Sequence, residues 1–169
     1  MKDKILKEPT KPVDPEEIKS VNDILDSFKN LGFQARSLAQ AGDIWQQMLE
    51  EKTTIFLGLA GAMVPAGLRR LVQKLIKLRA IDCLVSTGAN LFHDAHETLG
   101  KFHYKGNHQV NDLRLRKAGV DRIYDVFASE EEFRQTDNYV ENFSLELDQT
   151  KDYSTREFLY LLGQKLLQE

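Results

Sequence analysis

Several things are scarce in this sequence, and each shortage removes a class of protein. There is one cysteine, Cys83. A disulfide framework within the chain is therefore excluded, and a reducing compartment is the default expectation. In its apolar context Cys83 reads as a small hydrophobe rather than a nucleophile. No apolar run approaches the ~20 residues that span a bilayer. The opening Met1-Lys-Asp-Lys-Ile-Leu-Lys-Glu8 lacks the apolar core of a signal peptide. A cytoplasmic protein without a membrane partner is the expectation. Positive charge is not in excess either, since the net charge is −3 with 29% charged residues. A nucleic-acid partner would call for a basic face, so none is expected.

What is present suits one ordinary domain: 169 residues, 41% of them apolar. Residues 1–13 are polar, carry Pro9 and Pro12, and read as an extended arm. Residues 14–52 read as helices. Asp14 is placed as an N-cap with Pro15 at the first helical position. Ile18, Val21, Ile24, Leu25, Phe28 and Leu31 have helical spacing, and Gly32 stands where a glycine stop belongs. A second helix is expected from about Gln34 to Glu50, with Gly42 as a candidate break.

From Thr53 onward the pattern changes. Thr53-Thr-Ile-Phe-Leu-Gly-Leu59 is a β-rich apolar run that empties into Ala60-Gly-Ala-Met-Val-Pro-Ala-Gly67. A helical pattern starting near Pro65 follows on Leu68, Leu71, Val72, Leu75, Ile76 and Leu78. Asp82 to Val85 is a second apolar run, emptying into Ser86-Thr-Gly-Ala-Asn90 and another helix to about Leu99. In an open parallel sheet, loops at the carboxyl ends of strands line the ligand crevice. Two small-residue loops at two such ends predict a shared floor for a phosphate-bearing cofactor. Further on, Gly100 to Asp112 reads as a long loop and Leu113 to Ala118 as a helical turn ending at Gly119. Arg122 to Phe127 is a single weak strand, Ser129 caps a helix beginning at Glu130, and Ser154-Thr-Arg-Glu157 is a capping box for the last helix. Two strands with a doubtful third make the sheet incomplete.

The glycine loops match no standard fingerprint. Gly58, Gly61 and Gly67 lack the Gly-x-Gly-x-x-Gly spacing, and no P-loop Gly-Lys-Ser/Thr is present. Small residues at 60–62 would let backbone amides approach a pyrophosphate, with a helix N-terminus aimed at it. A tight strand-to-helix turn without a ligand fits the spacing equally well. Phe92-His-Asp-Ala-His-Glu97 offers possible metal ligands, but not in His-Glu-x-x-His order. A His93 that contacts ligand, or one hydrogen-bonded near a helix start, is the preferred reading, and no metal is expected. No Ser/His/Asp or Cys/His set can be assembled from spacing.

Gly58-Leu-Ala-Gly-Ala-Met-Val-Pro-Ala-Gly67, Val85-Ser-Thr-Gly-Ala-Asn-Leu-Phe-His-Asp94 and Gly119-Val-Asp-Arg-Ile-Tyr-Asp125 together resemble the deoxyhypusine synthase family, in the manner of its bacterial and archaeal members. The resemblance runs from about Asp43 to the end, including Tyr153-Ser-Thr-Arg-Glu-Phe158, and covers the N-terminal half of such a protein. It implies an α/β fold with a Rossmann-like parallel sheet and flanking helices, residues 53–169 forming the first half of an NAD-binding domain. It implies an NAD-dependent aminobutyl transferase. In the family, spermidine is oxidised, an enzyme lysine takes the aminobutyl group as a Schiff base, and a lysine of the hypusine-bearing translation initiation factor receives it. Related enzymes pass the group to other amines and make homospermidine. Members assemble as tetramers with sites between paired subunits.

By position, the family's NAD segments fall on Gly61, Ala62, Met63, Val64 and Pro65, and on Thr87, Gly88 and Ala89. Eukaryotic synthases carry two glutamates, which contact cofactor and polyamine, where this chain has Phe92 and His93. The resemblance thus assigns both positions to the amine substrate and His93 also to the cofactor. Without those carboxylates the obvious attraction for an ammonium is missing. The family's catalytic lysine lies in a Trp-Gly-Lys segment. The only tryptophan here is Trp45, outside such a motif, so no catalytic residue is assigned. Two readings follow: the NAD-side half of a transferase completed by a second chain or a C-terminal half, or a non-catalytic subunit of a full-length relative.

Overall fold

The computed structural model describes residues 6–168, so the first five residues of the expected arm and Glu169 lie outside the described residues. The chain divides into two compact units, Met1–Ile55 and Phe56–Glu169.

In the first unit Asp14 does cap, accepting from the Glu16 amide at 2.9 Å, but it starts only a 3₁₀ turn over Pro15–Glu17. The helix begins later, at α1 (Val21–Phe28), because Ser20 and Asp23 form a reciprocal capping box. The Asp23 carboxylate accepts from the Ser20 amide at 2.7 Å and from the Lys19 amide at 2.9 Å. With two backbone donors satisfied there, the chain nucleates at Ser20 rather than Asp14. Gly32 is not a left-handed stop. Its φ of −107° is extended, and it stands as the N-cap of α2 (Phe33–Glu50), which runs through Gly42 unbroken. Lys29 binds Asp26 and Asp43, each at 2.9 Å, tying α1 to α2.

The second unit opens with a parallel pair, β1 (Phe56–Leu59) and β2 (Cys83–Ser86), in register Phe56↔Cys83 to Leu59↔Ser86. Strand alternation splits its residues between two faces. Leu57, Leu59 and Leu84 are half-buried, whereas Phe56 and Val85 are 66% and 60% exposed on the other face. Cys83 is half-buried in β2. The connection between the strands departs from expectation. Instead of a helix from Pro65, a single wide π turn spans Val64–Leu68 and contains Gly67 at φ 90°. Only beyond this left-handed residue does α3 (Arg69–Lys77) begin. α4 (Gly88–Thr98) follows β2 after one residue, Thr87.

The remaining strands form a separate sheet. The segment read as one strand, Arg122 to Phe127, is two: β4 (Val120–Ile123) and β5 (Val126–Ser129) form an antiparallel hairpin. Tyr124, at φ 56°, makes the turn. β3 (Tyr104–Lys105) pairs with β5 from within the expected loop. α5 (Asp112–Lys117) precedes β4 and stops before Gly119, whose φ is 66°. α6 (Glu130–Glu146) and α7 (Thr155–Leu166) complete the unit, both capped by the serines expected from the sequence. The fold class is mixed α/β with a small parallel sheet. No helix among the described residues is long and apolar enough to cross a membrane.

Candidate functional site

The loops leaving β1 and β2 lie side by side, held by hydrogen bonds between them. Gly61 turns the first loop with φ 65°, a left-handed conformation that suits glycine. In the second, the Thr87 amide donates to the Leu59 carbonyl at 3.1 Å and the Thr87 hydroxyl to the Gly61 carbonyl at 3.2 Å. Asn90, only 2% exposed, reaches back to the first loop. Its Oδ1 accepts from the Met63 amide at 2.8 Å and the Val64 amide at 3.4 Å, and its Nδ2 donates to the Leu59 carbonyl at 3.1 Å.

This wiring sorts the residues that the sequence nominated. Val64 and Pro65 are buried, and Met63 and Val64 spend their amides on Asn90. Gly61 is exposed and Ala62 half-buried, and among the described residues their amides make no hydrogen bond. Thr87, Gly88 and Ala89 are exposed. Thr87 is the N-cap of α4 without a side-chain cap bond, so the first-turn amides of Gly88 and Ala89 stay open. A Cβ built on Gly61 or Gly88 would meet nothing within 4 Å. The loops thus leave these amides and a helix N-terminus without protein partners among the described residues, groups that can donate to an anion.

Phe92 and His93 lie elsewhere on α4, against α6. His93 is 7% exposed, and its Nδ1 lies 3.0 Å from Nε2 of His103. His103 Nδ1 lies 2.9 Å from the Glu97 carboxylate. His96, wholly buried, pairs its Nδ1 with the Thr136 hydroxyl at 3.1 Å. The Phe133 ring stands 4.9 Å from His96 and 5.5 Å from His93, and Phe92 packs edge-on to it at 5.3 Å. Burial, then the neighbouring His103 and His96, push the His93 ring down to about 4. Burial and His103 lower His96 as well. His93 is therefore a neutral ring whose Nδ1 is already engaged.

Sequence reasoning missed Asn90's internal role, His103, Thr136 and Arg69. Arg69, the first residue of α3, binds Asp94 at 2.5 Å and also Thr98, with Glu97 at 3.7 Å. It joins the helix after the first loop to the helix after the second. Helical spacing of Asp94, Glu97 and Thr98 was the available signal for a shared cation, since positions three and four apart share a face.

The sequence profile of deoxyhypusine synthase matches residues 23–169. The chain belongs to the deoxyhypusine synthase family. A probable deoxyhypusine synthase 2 of Methanosarcina acetivorans is 54% identical over 159 residues, 94% of this chain and 46% of that protein. Its namesake in Archaeoglobus fulgidus is 50% identical over 136 residues, 80% of this chain and 45% of the relative. A deoxyhypusine synthase-like protein of Elusimicrobium minutum is 36% identical over 163 residues, 95% of this chain and 43% of the relative. The chain thus spans just under half the length of these deoxyhypusine synthase relatives. Both glycine loops, Asn90 and the histidine cluster lie inside the stretch matched by the deoxyhypusine synthase profile.

Proposed function

We propose that this chain supplies the NAD-binding side of a deoxyhypusine synthase-like aminobutyl transferase, with a Rossmann-like sheet completed by further chain. The observation that carries this reading is the pair of stapled loops in a member of that family. Gly61 and Ala62, whose amides are open, are joined to the uncapped N-terminus of α4 by the Thr87–Gly61 hydrogen bond. There they would hold the pyrophosphate of NAD, Thr87 and the turn at Met63–Pro65 setting the shape of the cradle. NAD, when bound, would accept a hydride from the amine. The amine would be spermidine or a relative, and the acceptor a lysine of the hypusine-bearing initiation factor or, as in homospermidine formation, another amine. The Schiff-base lysine and the acidic amine pocket would come from a C-terminal half or a second chain, in a cytoplasmic oligomer.

One observation favours a second reading, a non-catalytic subunit that binds a full-length relative. Phe92 and His93 present no carboxylate, and both pack against Phe133. Calorimetry with NAD separates the readings. It would be run on the chain alone and again with a second polypeptide carrying the rest of the family sequence. Binding in either state is expected, and binding only after addition would mark a site assembled from two pieces. No binding in either state would overturn the NAD reading.

A further inference from the structure

We propose that Asn90 is the positioning residue of the nucleotide loops, which rests on the NAD reading above. An asparagine side chain offers two acceptor lone pairs and two donor hydrogens. All four are used here. Oδ1 accepts from Met63 and Val64, and Nδ2 donates to the Leu59 carbonyl and, at 3.2 Å, to the Thr87 hydroxyl. The amide cannot be flipped, because the reversed group would set donors against two N–H groups and an acceptor against a carbonyl. Asparagine is a mediocre helix former, yet it occupies the third position of an 11-residue helix. Its reason for being there is outside the helix.

The consequence is directional. Successive backbone amides can form an anion-binding concavity. In the first loop, the carbonyl oxygen of Asn90 already fills the one made by Met63 and Val64. The loop is pinned so that Gly61 and Ala62 are the residues left to face a ligand. The same side chain engages the Thr87 hydroxyl, which also donates to Gly61. That hydroxyl makes no cap bond to α4, and the Gly88 and Ala89 amides stay open. Asn90 touches no ligand itself. It acts through the four residues it orients.

The test uses the full chain, with the second polypeptide if NAD binding requires it, and two readouts. Amide hydrogen exchange at Met63 and Val64 reports the latch, and calorimetry reports NAD affinity. Asn90→Ala is expected to abolish protection at both amides and to weaken NAD at least tenfold. Asn90→Asp, the milder change, keeps an acceptor for Met63 and Val64 but loses both donations and adds a negative charge. It is expected to retain protection while losing NAD affinity in a salt-sensitive way. Phe143→Leu, in α6, serves as a control for stability alone and should lower the melting temperature with NAD affinity unchanged. Unchanged affinity in both Asn90 variants, with the parent chain binding NAD, would overturn the inference and leave the NAD reading standing. A parent chain that never binds NAD would overturn the NAD reading. The exchange arm then decides the latch, and unaltered protection in Asn90→Ala would sink it.

Discussion

His93 Nδ1 and His103 Nε2 stand 3.0 Å apart, so one ring donates and the other accepts. Glu97 decides which. Its carboxylate can only accept, so it takes the Nδ1–H of His103 at 2.9 Å. In the neutral pair, His103 Nε2 is then the acceptor and His93 Nδ1–H the donor. The tautomer of His93, at one remove, is set by a glutamate it does not touch.

This cluster makes stability depend on pH in a definite direction. His93 is held down to about 4 in the folded chain, against 6.5 when free, and His96 is lowered too. The unfolded chain therefore binds protons more readily between these values. Stability is fully present above about pH 6.5 and falls as the pH drops toward 4, by on the order of 3 kcal/mol for His93. The charged and titratable groups involved are His103 and His96 for His93, and His103, Glu132 and Lys101 for His96. Urea midpoints between pH 4 and 7.5 should slope for the parent chain and flatten for His93→Gln. Parallel curves would rule the mechanism out.

Thr136→Val should destabilise the chain although it preserves shape. His96 Nε2 is buried and already lacks a hydrogen-bond partner among the described residues. Removing the Thr136 hydroxyl would strip the partner from Nδ1 as well. An unsatisfied buried group costs about 1–3 kcal/mol. Thermal denaturation of the variant checks this, and an unchanged melting temperature would contradict it.

Arg69→Lys should not be a conservative change. The guanidinium serves Asp94 and Thr98 at once, a geometry that a single ammonium does not reproduce. The Arg69 side chain is about a quarter exposed, so the loss should be modest, about 1 kcal/mol, and should shrink in high salt. Chemical denaturation at low and high ionic strength reads both effects.

The two loop glycines should fail differently when changed to alanine. At Gly61 the cost is backbone strain, about 1–2 kcal/mol, because φ is 65° while the space above is free. Gly88 has no such conformation and opens a helix, so Gly88→Ala should melt no earlier than the parent. Its methyl would stand over the open amides and weaken NAD binding several-fold. Paired melting and calorimetry on both variants test the contrast. A Gly88→Ala chain with full NAD affinity would move the phosphate away from α4.

Much of the element structure was legible because it is written locally. The capping box of Ser154 and Glu157 and the cap by Ser129 work across three residues. The small-residue loops follow their strands directly. Even here local signals compete. Asp14 lost the helix start to Ser20 because the second cap satisfies more backbone donors, and Gly32 was extended rather than left-handed.

The site itself was legible only as a pair of loops. Which of their amides are open depends on Asn90, whose bonds to the first loop span 26 to 31 residues. The lowered histidines depend on burial and on His103 from a loop, and His96 pairs with a Thr136 hydroxyl 40 residues away. Periodicity and spacing report which face of an element is apolar and where it starts. They carry no information about which distant side chain consumes a given donor. The sequence by itself determined the two parallel strands, most helix starts and the family. Only the tertiary structure decided where the hydrogen bonds of the loops are spent, because that choice is made between groups brought together by folding.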